Sequence, residues 1–94
     1  MTPDQEIDRG RGMARIVNDP LYQEAWNVPK ERIIGLLESA DLDPEKRARL
    51  NALLVAFAQA RRYAEQVMQT GKMAAQQIER DRTFTERVKE RVGI

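Results

Sequence analysis

Thr70-Gly71-Lys72 is the nearest thing in this sequence to a phosphate-binding loop, whose glycine-rich backbone cradles phosphate oxygens while a lysine and a hydroxyl complete the site. The motif fails at three points. Its upstream glycine position holds Gln66, no strand pattern precedes it, and the hydroxyl residue after lysine is replaced by Met73. Asp41 and Asp43 could offer oxygens to a hard cation, but their place ahead of Pro44 is that of turn and helix-cap residues. With no histidine and no cysteine, imidazole acid-base chemistry, thiol catalysis, disulfides and a structural zinc are excluded. Paired carboxylates for hydrolysis could be drawn from almost any charged helix surface, so they single out no residues. The sequence therefore points to a non-enzymatic protein with no catalytic residue, no metal and no cofactor. What remains for function is contact, and the cations at Arg61, Arg62 and Lys72 are the candidates for touching nucleic acid.

The elements that would present such residues are helices. From Leu50 to Ile78, small or apolar residues recur at strict 3-4 spacing: Leu50, Leu53, Phe57, Ala60, Ala64, Val67, Gly71, Ala74 and Ile78. This is a four-heptad seam. It lies in a stretch from Pro44 to Glu90 with no internal proline, which as one helix would run roughly 70 Å at 1.5 Å per residue. A seam of that length must meet another helix of this chain, a second copy or a different protein. Ala60, Ala64, Gly71 and Ala74 admit a close backbone approach but bury little area. Leu54, Met68 and Ala75 widen the apolar face beyond that of a two-stranded coiled coil. Met68 and Met73 fit core filling, with an adaptable binding surface as the sharper alternative.

Composition agrees with an all-α chain: 41% of residues are apolar and 33% charged, which suits ordered helices better than a disordered tail. Eleven alanines and only five aromatic residues make the core thin, so close approach must do what bulk does elsewhere. No window approaches the ~18 apolar residues of a membrane span, and the N-terminus lacks a basic region followed by an apolar core. The expectation is a protein that neither spans a membrane nor carries a standard secretion signal. The net charge of +1 hides an asymmetry. Residues 1–43 carry nine acids and five bases, residues 44–78 two acids and six bases, and residues 79–94 four acids and five bases. An acidic segment beside a basic one favours antiparallel packing of the two over a nucleic-acid stripe. Lys46, Arg47, Arg49, Arg61, Arg62 and Lys72 spread over several helix faces, with Tyr63 the aromatic beside Arg61 and Arg62.

Three regions follow from the chain's punctuation. Residues 1–18 form an N-terminal arm or short helix, capped by Thr2 with Pro3 in its first turn and weakened by Gly10 and Gly12. The Arg9-Gly10-Arg11-Gly12 run is one short copy of an arginine-glycine element, and a frayed arm is the plainer reading. Residues 19–78 form a helical hairpin. Asp19-Pro20 starts its first arm, on which Tyr22, Trp26, Ile33, Leu37 and Ala40 share a helical phase, and Asp43-Pro44 starts the long arm. Pro29 lacks the N–H that would bond back to Ala25, leaving two readings: one bent helix, or two abutting helices over 20–27 and 29–39. The short connector makes the arms antiparallel, with Ile33, Ile34, Leu36 and Leu37 folding onto Leu50, Leu53, Leu54 and Phe57. Trp26, Ile33, Leu37 and Leu53 are expected to close the hairpin. Residues 79–94 form an amphipathic extension, because Asp81 and Thr85 break the heptad. Thr83-Phe84-Thr85-Glu86 has capping-box spacing, so either a separate short helix begins there or the long helix continues with a phase shift. In both cases Phe84, Val88, Val92 and Ile94 form an edge that could dock on a partner.

Asp8-Arg9-Gly10, Asn18-Asp19-Pro20-Leu21 followed by Glu24-Ala25-Trp26, and Thr70-Gly71-Lys72-Met73-Ala74 together give a pattern that resembles a group of small helical proteins of tailed bacteriophages and prophages, encoded near head and DNA-packaging genes. The resemblance covers most of residues 8 to 79, and Pro29 departs from it. It implies a role in viral morphogenesis, in the virion or in the host bacterial cytoplasm, and supplies no catalytic residue. The expected function is that of a structural or assembly protein contacting itself or other phage proteins through the nine-residue seam. Two other classes stand beside it: a small-terminase-like oligomer that binds DNA, and a phage-encoded inhibitor or adaptor that binds a host protein.

Overall fold

The computed structural model describes residues 1–93, and Ile94 lies outside the described residues. The chain is all-α, with helices α1 (Pro3–Val17), α2 (Pro20–Leu37) and α3 (Pro44–Val92). Each helix begins with a cap residue followed by proline. Gln5 N–H donates to Thr2 Oγ1 (3.2 Å) while Thr2 N–H donates to Gln5 Oε1 (2.9 Å), a reciprocal capping box. Asp19 accepts from the N–H groups of Leu21 (2.9 Å) and Tyr22 (3.0 Å), and Asp43 accepts from Glu45 N–H (3.0 Å). In every case the proline occupies a position whose N–H would have had no intrahelical partner.

Pro29 lies inside α2, which runs unbroken from Pro20 to Leu37. The separate helix starting near Thr83 does not form, because α3 continues to Val92. Thr83 Oγ1 donates to Glu79 O and Thr85 Oγ1 to Asp81 O, both at 2.9 Å. The hydroxyls bond back to carbonyls one turn earlier, so neither is available to cap a new first turn. Gly93, at φ 73°, then takes the left-handed conformation that ends a helix without a Cβ penalty.

The residues group into two compact units, one of residues 1–14 with 66–94 and one of residues 15–65. In the second unit α2 and the first part of α3 form the expected antiparallel hairpin. Trp26 sits at its centre, its ring 5.0 Å from Phe57 in an edge-on arrangement and 6.0 Å from Tyr22. Arg47 closes the connector by donating to Leu37 O (3.0 Å) and Ser39 O (3.2 Å), carbonyls left over at the end of α2. Ile33 and Leu37 on one arm and Leu50, Leu54 and Phe57 on the other are half-buried. Leu53 does not join them; it is 50% exposed. The inward stripe here is Leu50-Leu54-Phe57, turned slightly from the strict heptad, which leaves Leu53 at its edge.

In the first unit α1 lies against α3 with backbone touching backbone. A Cβ placed on Gly71 would stand 2.9 Å from Glu6 O and 3.0 Å from Gly10 Cα, and one placed on Gly10 would stand 3.1 Å from Gly71 Cα and 3.2 Å from Val67 O. Glu6 meets Gly71 while Gly10 reaches back to Val67, so the helices run antiparallel. The N-terminal segment is therefore a docked fifteen-residue helix, not a frayed arm. Gly10, which weakens the helix by propensity, is the residue that lets it dock.

Candidate functional site

The nine seam residues do not form one open surface. Val67, Gly71 and Ala74 are buried in the unit that contains α1, and the glycine crossing shows what covers Gly71. Ala64 is also buried, at 7% exposure. Leu50 and Phe57 are half-buried in the hairpin, whereas Leu53, Ala60 and Ile78 are exposed. The seam predicted for a partner is thus used in part within the chain. Glutamate at Ala64, a natural way to break a partner contact, would place a charge inside the protein's own fold.

Sequence reasoning missed the element that occupies the seam. Its signal was present: Pro3, Ile7, Gly10 and Ala14 follow 4-3 spacing, and Ile7, Gly10 and Ala14 are buried or half-buried. A small-residue position on one helix faces a small-residue position on another, and only that pairing allows contact at backbone distance.

The predicted cations are dispersed. Arg47 is committed to the hairpin carbonyls, Arg49 pairs with Glu45 at 2.6 Å, and Arg61 pairs with Glu65 at 3.4 Å. These exposed pairs contribute only a few tenths of a kcal/mol each, so they leave the cations accessible without concentrating them. Arg61 and Arg62 border an open groove of about 500 Å³ in the hairpin unit, floored by Tyr22, Trp26, Ile34, Leu54 and Phe57. Lys72 is exposed in the other unit. Among the described residues no group of three or more acidic, histidine or cysteine side chains could hold a metal ion, and no helix is long and apolar enough to cross a membrane.

Among the described residues the end of α3 has no cover. From Gln76 to Val92 every residue is exposed except Thr83, which is half-buried. Phe84, Val88 and Val92, spaced four apart, are 69%, 42% and 63% exposed. They form one apolar stripe along the helix. Ile94, read as part of the same edge, lies outside the described residues. Comparison with protein-family models, curated proteins and solved structures found no match for the chain.

Proposed function

We propose that this chain is a non-enzymatic assembly protein of a tailed bacteriophage or prophage, a virion component or packaging accessory that works by helix–helix contact with other proteins. The uncovered last part of α3 carries the proposal. A helical segment of this length gains little from propensity alone, and helices in proteins owe most of their stability to packing of an apolar face. Here that face, Phe84-Val88-Val92, is open. The core is thin: among the described residues Ala64, Val67 and Ala74 are the buried apolar side chains, and no large side chain is fully enclosed. A partner helix on the stripe would supply the missing burial. The phage assignment draws on the resemblance carried by Asp8-Arg9-Gly10, Asn18-Asp19-Pro20-Leu21 and Thr70-Gly71-Lys72-Met73-Ala74.

The test is recovery of the tagged chain from phage-producing cells, with identification of what co-purifies. A head or packaging protein retained by the native chain and lost with Val88→Glu supports the proposal. Absence from virions and packaging complexes, with a host protein held instead, would overturn it in favour of a host-directed inhibitor. Steeply salt-dependent binding to duplex DNA, lost on neutralising Arg61 and Arg62, would move the function to a DNA-binding packaging oligomer.

A further inference from the structure

We infer that the stripe Phe84-Val88-Val92 receives an acidic helix of another protein, one with apolar residues at matching spacing and carboxylates along both of its flanks. This rests on the helix-contact reading above and adds the partner's chemistry. The grounds are in the placement of charge around α3. Residues seven or four apart share a helix face. Arg80, Arg87 and Arg91 therefore line one side of the stripe, and Arg82 and Lys89 line the other. Glu79, Glu86 and Glu90, with the same seven-then-four spacing, lie on the face opposite the stripe. Residues 79–92 thus carry near-balanced charge that is sorted by face: cations beside the apolar residues, acids behind them. Asp81, held by Gln77 Nε2 at 3.0 Å, lies on the stripe's own face one turn before Phe84 and marks where the stripe begins.

Local needs explain part of this arrangement. Lys89 and Arg91 stand in the last turn of α3, where cations offset the negative end of the helix. Arg80, Arg82 and Arg87 lie further back, beyond that effect. Arg82 has an ion pair with Glu79 at 2.7 Å, but both side chains are more than 60% exposed and can be re-paired at little cost. Among the described residues Arg80, Arg87, Lys89 and Arg91 have no ion pair.

The same geometry selects the occupant. A second copy aligned on the stripe would bring cations against cations on both flanks, in parallel or antiparallel orientation, and like charges there oppose pairing. A lipid surface needs a wide apolar face, whereas this one is a single residue broad and headed by Asp81. An acidic helix meets both requirements: its apolar seam covers Phe84, Val88 and Val92, and its flanking carboxylates face the two cation rows.

The experiment uses the 94-residue chain and three labelled synthetic helical peptides that share one leucine seam but carry glutamate, glutamine or lysine at the flanking positions. Binding is followed by fluorescence anisotropy at low and high salt. The glutamate peptide should bind at least about tenfold more tightly than the glutamine peptide, and the lysine peptide most weakly, with the spread shrinking as salt rises. Phe84→Ala should weaken the glutamate peptide, and Arg80→Gln with Arg87→Gln should remove most of its advantage; these side chains are exposed, so circular dichroism should report intact helix. Equal binding of all three peptides would overturn the acidic class while leaving helix docking in place. No binding by any peptide, with helicity intact, would overturn both. Concentration-dependent self-association abolished by Phe84→Ala would assign the stripe to a second copy, and binding to phosphatidylserine vesicles abolished by the same change would assign it to a lipid surface; either result overturns the inference.

Discussion

The contact of α1 with α3 is made where side chains are missing, and the α2–α3 hairpin is made by the largest side chains the sequence has. At Gly10 and Gly71 the two backbones come within a distance that a single methyl group would violate. At Trp26 and Phe57 two ring systems meet edge-on between the helices, their centroids 5.0 Å apart. The first kind of contact gains from dispersion and weak Cα–H···O interactions over a short length, and tolerates no added volume. The second gains from apolar area and tolerates some repacking. One chain thus uses both solutions to a thin composition.

Breaking the glycine contact should have the largest effect. Gly71→Val places a branched side chain against Glu6 O and Gly10, and should cost about 3 kcal/mol, at the upper end for overpacking, read as a lower denaturation midpoint with loss of amide protection in α1. Breaking the aromatic contact should come next: Trp26→Ala removes the ring that meets both Tyr22 and Phe57, but that ring is only half-buried, so about 2 kcal/mol is expected, with protection lost in α2. Asp43→Ala removes a cap common to neither contact and should cost about 1 kcal/mol by urea unfolding.

The smallest change sharpens the comparison by reversing its sign. Gly12 and Gly35 also sit in helices, yet a Cβ on either would meet nothing within 4 Å. Gly12→Ala and Gly35→Ala should each raise stability by about 0.5 to 1 kcal/mol, since alanine restricts the unfolded chain and favours helix. Thermal midpoints that fall for both would mean that these glycines, too, serve a close approach.

What the sequence made legible was local. The starts at Thr2-Pro3, Asp19-Pro20 and Asp43-Pro44 all hold, because a cap and a proline act within one turn. The hairpin was legible through its short connector and the aromatic and aliphatic residues of its arms. The heptad seam was visible as a pattern, but a pattern does not say which helix covers it. Gly10 was read as a weak point of its helix, whereas its environment reverses the meaning: the missing side chain is the contact. At Thr83 and Thr85 the continuing helix holds and the separate one does not, for a related reason. A hydroxyl can serve an N–H ahead or a carbonyl behind, and the choice depends on whether the preceding turn is already helical.

Amide hydrogen exchange of α1 across a concentration series, in the native chain and in Gly71→Val, distinguishes a helix held by the glycine crossing from one held by a second copy. Protection in residues 6–14 should be independent of concentration and lost in the variant. Protection that rises with concentration would mean that α1 covers a second copy, and protection unchanged by Gly71→Val would mean that the glycine crossing does not hold α1 at all.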